Sequence, residues 1–260
     1  EFMAKSAFSG AGNKREASVG TSLLKVDAWE RVTGRAEYGA DVRIPGSLHA
    51  KVLRSPHPHA LINSIDASKA RQLPGVKAVI TGSDFPPIDE LRDSFGGELM
   101  VNARDLRRMV LADVKALFDG HGIAAVAATK PEIAEAALDL IDVDYELLPI
   151  VPDTIEALEP DAALLHPDLY TKTLGPRPDK PSNLASYVES GWGDVEKGFA
   201  EADIIIERTF TSMMVHQGYL EPQACTARWD KDVCTVWTST QGTFNSQRMV
   251  ATLLQVPLHQ

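Results

Sequence analysis

A predicted strand end followed by glycine, TSTQG, places four hydrogen-bonding side chains in a row from Thr238 to Gln241. Strand ends beside a glycine are places where a backbone can approach a ligand closely, and Gly242 follows directly. The Gln241 amide can donate a hydrogen bond but does not titrate near neutral pH, so it can hold a ligand without transferring a proton. The alternative is that Gln241 caps the helix predicted over NSQRMVATLLQV.

A second polar cluster lies in VHQGYLEPQACTARW, residues 215–229. His216, Gln217, Tyr219 and Glu221 fall at the predicted start of a strand, where a solvent-exposed face alone would not require them. The residue types are therefore a candidate binding cluster.

The two cysteines, Cys225 and Cys234, lie on opposite strands of a predicted hairpin whose turn centres on Lys231. In that register they are offset by three positions, about 10 Å along the strand. A disulfide needs Cα atoms within about 7 Å, so we expect both cysteines to be reduced, as is typical of cytoplasmic proteins.

Other motifs have simpler interpretations. His57 and His59 are a close histidine pair, but Pro58 holds them in a bend without a neighbouring carboxylate or cysteine cluster, which favours a structural or solvent-exposed role over a metal site. The segments GAGNKR, FGGE and GWGD lack the strand–glycine–helix context of a nucleotide site. No Gly-x-Ser-x-Gly elbow is present, which disfavours an α/β-hydrolase-like enzyme.

Hydrophobic periodicity predicts a unit of alternating strands and helices, with either an α/β or an α+β fold. Four segments have the pattern of strands: LHAKV, VKAVIT, GIAAVAA and IDVDYELLPIV. Asp66 is the predicted N-cap of a short helix, and Thr129 with Glu132 has capping-box spacing at the start of a longer one. RSPHPHALI is predicted as a bend, and residues 88–106 show only a weak pattern.

Composition excludes several classes of function. The 260-residue chain is long enough for two domains, and its formal net charge is −10. No Lys/Arg-rich stripe is present, so nucleic acids and anionic membranes are poor partners. No apolar run approaches the roughly 20 residues that cross a bilayer.

Three separated segments resemble, in order and spacing, the molybdenum subunit of the xanthine dehydrogenase / aldehyde oxidase family, which also includes the large subunit of aerobic carbon monoxide dehydrogenase. The stretch that runs from KVDAWERVTGRAEYGAD to VKAVITGSDFP is similar to the start of that family's a/b hammerhead domain. DGHGIAAVAATKPEIAEAALDLIDVDYELLPIVPDTIEAL is similar to its second half. GDVEKGFAEADIIIERTFTSMMVHQGYLEPQACTARW and the later VWTSTQGTFNSQRMVATLLQVPLHQ are similar to the first part of its molybdopterin-binding domain.

The resemblance implies an α+β hammerhead domain followed by an incomplete α+β molybdopterin-binding domain. The expected organisation is a disordered tail or cloning scar over 1–18, the hammerhead domain over 19–159, a proline-rich linker over 160–182 and the start of the cofactor domain over 183–260.

Site residues follow from the same resemblance. By position, Gln241 matches the glutamine that hydrogen-bonds an oxygen on molybdenum in this family, and Gln241 with Gly242 forms the expected cofactor-binding pair. Residues 216–221 match a structural segment, so no catalytic residue and no metal ligand is assigned. The family's later pterin-contacting segment, arginine-bearing loop and glutamate base are absent, so the isolated chain is expected to be inactive and empty of cofactor.

The complete enzyme implied by the resemblance oxidises an aldehyde, a heteroaromatic ring or a similar small molecule with oxygen from water. Electrons pass to iron–sulfur clusters and FAD on partner polypeptides in the cytoplasm. The chain is expected to be the N-terminal portion of the large subunit, as a fragment or as a native half-subunit, with its apolar end Met249–Leu258 covered by the missing portion. The rival hypothesis is a non-catalytic hammerhead module that acts in binding or complex assembly.

Overall fold

The computed structural model describes residues 22–88 and 103–259. The tail predicted over 1–18 and the segments GAGNKR and FGGE lie outside these ranges. The helices are α1 (Ala28–Val32), α2 (Ser68–Gln72), α3 (Ala103–Val110), α4 (Pro131–Leu138), α5 (Val195–Glu201) and α6 (Thr243–Leu254). The strands are β1 (His49–Arg54), β2 (Ala60–Asp66), β3 (Val76–Thr81), β4 (Lys115–Ala116), β5 (Gly122–Ala128), β6 (Asp142–Leu147), β7 (Cys225–Asp230) and β8 (Val233–Thr238).

The described residues divide into two compact units. The smaller unit comprises 22–42, Glu221–Thr226 and Val236–Ser239. Within it, a Cβ atom added to Gly39 would lie 3.3 Å from the carbonyl oxygen of Ala224 and 3.3 Å from the amide nitrogen of Ser239. Glycine at position 39 therefore allows these backbone segments to approach one another closely.

The larger unit contains two three-stranded sheets. In the first, the central strand β5 pairs antiparallel with β1 on one side and β3 on the other, so Val52, Ala125 and Ile80 lie in one row across the sheet. In the second, β2 pairs antiparallel with both β4 and β6. β3 and β5 coincide with the predicted strands VKAVIT and GIAAVAA, which confirms those two predictions.

Two connected clusters of buried side chains form the core of the larger unit. The first lies between the β1–β5–β3 sheet and helices α2 and α4, and it is built mainly from alanine and valine, including Val79, Val126 and Ala137. The second surrounds Ile123 beside the β4–β2–β6 sheet. Leu53, Ile65 and Val143 pack against both clusters, so the two sheets share one core.

Small residues permit this close packing of helix against sheet. A Cβ atom added to Gly75, whose φ is +97°, would lie 2.7 Å from Cδ1 of Ile133 in α4. The Thr129 amide donates a hydrogen bond to the Gly75 carbonyl over 2.9 Å, which ties the end of β5 to the turn before β3. Glycine at position 75 is required both by its backbone conformation and by the close approach of α4.

Several local predictions were wrong. The predicted bend RSPHPHALI ends in strand β2, which the sequence pattern hides because the register shifts between Ile62 and Ser64 and interrupts the alternation. The N-cap of α2 is Ala67, although the Asp66 carboxylate accepts a hydrogen bond from the Ser68 amide over 2.9 Å. The N-cap of α4 is Lys130, without a side-chain capping bond, so the capping box predicted from Thr129 and Glu132 is not formed.

Helix α3 was not predicted, because its sequence ARDLRRMV lacks an extended apolar stripe. Its inward-facing side includes arginine side chains held by ion pairs, among them Arg107 with Asp113 at 2.8 Å. Arg107 also donates to the Gly82 carbonyl oxygen over 2.8 Å. A helix whose packed side is partly cationic gives no clear hydrophobic period to read from the sequence.

The proline-rich segment predicted as a surface linker makes specific hydrogen bonds. The Asn183 side-chain amide donates to the carbonyls of Ala157 and Ala163, and its oxygen accepts from the Leu165 amide. Asp168 lies 3.0 Å from Arg104 and 3.2 Å from Arg108 of α3. The segment is therefore fastened to the larger unit, and the domain boundaries drawn around it stay a prediction.

Candidate functional site

The candidate site lies at the junction of β8 and α6, in the segment Thr238–Gly242. Ser239 is engaged within the chain: its hydroxyl donates to the Pro222 carbonyl over 3.0 Å, and its amide donates to the Ala224 carbonyl over 3.3 Å. Thr240 is engaged as well, because its hydroxyl lies 2.9 Å from that of Ser246 and accepts from the Gly242 amide over 3.1 Å. Ser239 is therefore bonded within the smaller unit, and Thr240 is bonded within the larger one.

Gln241 differs from its neighbours in the same segment. Its side chain is exposed, and no hydrogen bond of its amide group is found within the described part of the chain. The N-cap of α6 is Gly242 and no side chain caps the helix, so the alternative in which Gln241 serves as the cap is not what the structure shows. The Gln241 amide thus offers a hydrogen-bond donor and an acceptor that have no partner among the described residues.

Neither backbone strain nor a close contact among the described residues requires glycine at position 242. Its φ of −140° is accessible to any residue, and an added Cβ atom would meet Asn245 at 3.6 Å, an ordinary van der Waals distance. The conformational reasons that usually fix a glycine are therefore absent within the described residues at this position. A position of this kind leaves room for another molecule to approach the backbone closely.

The sequence reasoning missed Phe244, which follows two residues later in the first turn of α6. The side chain of Phe244 is 75% exposed to solvent. The available signal was an aromatic residue among polar neighbours at a helix N-terminus, which is unusual for a surface position.

His57 and His59 make separate contacts in the structure. His59 is buried, and its Nδ1 lies 2.6 Å from the Pro149 carbonyl oxygen, whereas the His57 ring packs edge-on against Tyr145 with centroids 5.0 Å apart. Among residues 22–88 and 103–259, no group of three or more histidine, cysteine or carboxylate side chains is arranged to hold a metal ion. The contacts of His59 are those of a structural residue, as the sequence favoured.

The polar cluster of residues 216–221 is not at the start of a strand, because the next strand, β7, begins at Cys225. His216 and Tyr219 contact each other at a centroid distance of 5.2 Å, and His216 Nδ1 accepts from the Gly218 amide over 3.1 Å. These are contacts of a local turn. Cys225 and Cys234 lie in the β7–β8 hairpin and are free, which confirms that prediction.

A buried histidine lies beside α3, outside the candidate site. His121 Nδ1 accepts from the Leu117 amide over 3.2 Å, so its Nε2 carries the proton and donates to the Arg108 carbonyl over 3.0 Å. The ring also stacks on Phe118 with centroids 4.5 Å apart. Burial lowers the pKa of His121 below its ordinary value, because charging the ring there would cost it solvation.

Three further ionisable groups, Asp168, His166 and Lys115, also have shifted pKa values. Burial acts to raise the pKa of Asp168, but Arg108 and Arg104 outweigh it and hold that pKa below its usual value. Burial lowers the pKa of His166 and of Lys115 in the same neighbourhood. Asp168 holds the proline-rich segment to α3, and a structural ion-pair network perturbs pKa values as an active site does.

The apolar end of the chain is less exposed than predicted. α6 packs against α3, with Ala251 buried and Met249, Val250, Leu253 and Leu254 partly buried. Two side-chain amides close the end of the helix: Gln247 donates to the Leu258 carbonyl over 2.9 Å, and Gln255 donates to that of Pro87 over 2.8 Å. Much of Met249–Leu258 is therefore covered within the chain, whereas Leu258 is 53% exposed. Cover of this end by a missing portion stays a prediction.

Two family models match the chain in succession. Residues 33–149 match "Aldehyde oxidase and xanthine dehydrogenase, a/b hammerhead domain", and residues 177–260 match "Molybdopterin cofactor-binding domain". The first range contains both three-stranded sheets, and the second contains the β8–α6 junction. The fold therefore defines the chain as an α+β protein with a hammerhead domain followed by sequence of a molybdopterin cofactor-binding domain.

Individual relatives agree with this assignment. The chain is 35% identical over 243 residues to the carbon monoxide dehydrogenase large chain of Afipia carboxidovorans, covering 92% of this chain and 29% of the relative. It is 33% identical to the nicotinate dehydrogenase large molybdopterin subunit of Eubacterium barkeri, covering 92% of this chain and 51% of the relative. The solved structure of quinoline 2-oxidoreductase from Pseudomonas putida 86 matches with a TM-score of 0.71 and 30% identity, over 94% of this chain and 29% of that one.

The chain belongs to the family of xanthine dehydrogenase, aldehyde oxidase and carbon monoxide dehydrogenase molybdenum-binding subunits. It spans about 30% of the length of the carbon monoxide dehydrogenase large chain and about half of the nicotinate dehydrogenase subunit. None of the helices in the described part of the chain has the length and apolar character needed to cross a membrane.

Proposed function

We propose that this chain supplies the hammerhead domain and the first part of the cofactor domain of a molybdenum hydroxylase. The whole enzyme would oxidise an aldehyde, a heteroaromatic ring or a similar small substrate, and the oxygen added would come from water. The observation that carries the proposal is the succession of the two family matches along one chain, with an unpartnered amide at the β8–α6 junction inside the second.

The proposed cofactor is the molybdenum–molybdopterin group, which supplies the redox chemistry when it is bound. Gln241 would donate a hydrogen bond from its amide to an oxygen of that group, and Gly242 would leave room for close approach. The residues present fit such a role, since neither a partner for the Gln241 side chain nor a need for glycine at 242 is found among the residues that the structure describes. The Gln241 amide orients and stabilises without exchanging a proton.

Further partners belong to the same proposal. The cofactor domain would be completed by additional polypeptide, either in the same chain or as a second subunit, and the base that accepts a proton from the reacting oxygen would lie there. Electrons would leave through an iron–sulfur subunit and an FAD-containing subunit. We place the assembly in the cytoplasm, which suits two free cysteines.

The test is to co-produce the chain with the polypeptide that completes the cofactor domain, in a host that makes the cofactor, and to measure bound molybdenum and dye-linked oxidation of aldehydes and N-heteroaromatic compounds. Stoichiometric molybdenum with turnover of at least one substrate class is expected. Gln241→Ala should lower activity or molybdenum affinity by about 10- to 100-fold, the usual effect of removing an outer-shell partner.

Gln72→Ala is the matched control, because Gln72 is an exposed glutamine at the end of helix α2, inside the range that matches the hammerhead domain. It should leave molybdenum content and turnover unchanged. A properly assembled complex that retains no molybdenum would overturn the enzyme proposal and favour the binding-module hypothesis. Equal losses of molybdenum or turnover from Gln241→Ala and Gln72→Ala would show that Gln241 has no specific role in binding the cofactor.

A further inference from the structure

Helix α6 ends at a residue with a strained backbone. Gln255 has φ +52° and ψ +42°, and it is one of two residues other than glycine with a positive φ among those that the structure describes. Its amide donates to the Thr252 carbonyl over 3.3 Å, and the Val256 amide donates to the Ala251 carbonyl over 3.0 Å. These two bonds form a Schellman motif, in which glycine usually takes the left-handed position because a Cβ atom is unfavourable there.

The side chain of Gln255 makes a contact that glycine could not make. Its Nε2 donates to the Pro87 carbonyl oxygen over 2.8 Å, although the two residues are 168 positions apart in the chain. Pro87 lies inside the range that matches the hammerhead domain, whereas α6 lies inside the range that matches the cofactor-binding domain. The strained residue thus connects one matched range to the other, and both sides of the contact belong to the larger compact unit.

The acceptor lies on a stretch of chain that is itself supported. Pro86 and Pro87 restrict φ at two successive positions. Arg107 of α3 donates to the Gly82 carbonyl over 2.8 Å, which ties the turn before these prolines to α3. Helix α3 also packs against α6. Helix α6 is therefore held against the hammerhead range in two ways, by its packing on α3 and by Gln255 after its last turn.

We propose that Gln255 is a positioning residue, which holds the C-terminal end of α6 against the hammerhead range and so determines where Gln241 and Gly242 lie at the other end. This inference rests on the proposed function, because the cofactor contact of Gln241 is what the position affects. The 12 residues of α6 span about 18 Å, so a tilt of about 5° displaces one end relative to the other by about 1.5 Å. A displacement of about 1 Å can lower an enzyme's rate substantially, even when the substituted residue is far from the reacting atoms.

The Gln255 contact contributes more to position than to stability. Gln255 is exposed, and an exposed hydrogen bond between neutral groups adds little to the free energy of unfolding because water competes for both partners. The left-handed backbone at position 255 also costs free energy that glycine would not cost. Gln255→Gly should therefore leave stability nearly unchanged while it removes the contact with Pro87.

The first measurement is hydrogen–deuterium exchange of the chain alone. The α6 amides should exchange at least about threefold faster in Gln255→Glu, because a carboxylate cannot donate to the Pro87 carbonyl. Gln255→Lys restores a donor of similar length and should exchange within about twofold of the unsubstituted chain. Gln247→Glu is the matched control on the same helix, because the Gln247 amide donates to the Leu258 carbonyl and not to the hammerhead range. It should also stay within about twofold.

The second measurement is steady-state turnover of the complex with the completing polypeptide. Gln255→Gly and Gln255→Glu should each lower kcat at least about threefold and leave KM within about twofold, because the Gln241 amide moves while substrate binding does not change. Gln255→Lys should recover the kcat of the unsubstituted complex. The unfolding midpoint of Gln255→Gly should match that of the unsubstituted chain, so that lost stability does not account for its lower kcat.

The outcomes separate this inference from the proposed function. A complex with bound molybdenum in which Gln255→Glu turns over like the unsubstituted complex overturns the inference and keeps the function. A fall of both the unfolding midpoint and kcat in Gln255→Gly also overturns it, since the role is then structural. A complex without molybdenum rejects the function, and the exchange rates then decide the inference. Equal rates in Gln255→Glu and the unsubstituted chain overturn it, and a difference that Gln255→Lys reverses supports it.

Discussion

The strands of the two three-stranded sheets and the segment 204–215 have similar residue types, but the strands are paired and partly buried whereas the segment is unpaired and exposed. Both are rich in apolar and β-branched residues, yet Ile123 and Val126 of β5 are fully buried while Ile204, Ile206 and Phe210 are exposed. β5 has a paired strand on each side and helices over one face, all from this chain. The difference shows that strand propensity alone does not make a strand, because a strand also needs neighbours to pair with.

The largest expected contrast comes from truncating one isoleucine in each region. Ile123→Ala should lower the free energy of unfolding of the chain by about 2–5 kcal/mol, because it leaves a cavity in the shared core. Ile206→Ala should change it by less than about 0.5 kcal/mol, because that side chain is already in solvent. Urea denaturation followed by circular dichroism measures both, and similar losses would show that 204–215 is packed in solution.

Glycine substitutions sharpen the comparison at the level of the backbone. A Cβ atom added to Gly82 would lie 2.6 Å from the Leu111 carbonyl oxygen and 2.8 Å from Asp113 Cβ, so Gly82→Ala should cost about 1–3 kcal/mol of stability. A Cβ atom added to Gly198 in α5 would meet nothing within 4 Å. Gly198→Ala should stabilise the chain by up to about 1 kcal/mol, since alanine favours a helix interior. Thermal unfolding of the two variants is the measurement.

The stability of the sheet-bearing unit should depend on pH through His121. The pKa of His121 in the folded chain lies below the ordinary value of 6.5. As the pH falls, His121 is therefore protonated in the unfolded chain before it is protonated in the folded chain. The contribution is fully present above pH about 6.5 and is lost as pH falls toward the folded-state pKa, with a slope of at most about 1.4 kcal/mol per pH unit. His166 acts in the same direction.

His121→Gln should reduce the change in free energy of unfolding per pH unit between pH 7 and 5. This expectation does not depend on how the substitution changes stability at pH 7. Urea unfolding at half-unit pH steps gives the slopes. An unaltered slope in His121→Gln would mean that the ring is not buried in solution.

The smallest expected effect concerns the surface of the sheets. Lys51 of β1 lies 2.6 Å from Glu135 of α4, with both side chains substantially exposed. Glu135→Gln should cost less than about 1 kcal/mol, and the cost should shrink further in 0.5 M salt because exposed charges are screened. A larger or salt-independent loss would show that this pair is shielded from solvent.

Much of the fold followed from the sequence where pattern and packing coincide. VKAVIT and GIAAVAA are short apolar runs between turn residues, and both are strands as predicted. β2 was missed because its alternation breaks at a register shift, and α3 was missed because arginines occupy its packed side. Neither a shift in pairing nor an ion pair with a residue distant in the chain is visible in a local window.

The site was predictable to a similar extent. The segment Thr238–Gly242 was singled out from residue types alone, but those types could not show that Ser239 and Thr240 are engaged within the chain while Gln241 is not. Phe244 was overlooked because an aromatic residue in an amphipathic helix is normally assigned to the core. The cofactor role of Gln241 and Gly242 stays a prediction from the family resemblance.

Asn183 has a consequence for how the chain withstands cleavage. One side chain bonds to Ala157, Ala163 and Leu165, and the neighbouring Ser182 amide donates to the Leu169 carbonyl over 3.0 Å. Lys172 and Ser186 form a further bridge between the two arms of this loop. A protease that nicks the loop between Thr173 and Lys180 would therefore sever the covalent chain without releasing either end, so a gel under denaturing conditions would show two pieces where gel filtration still shows one particle.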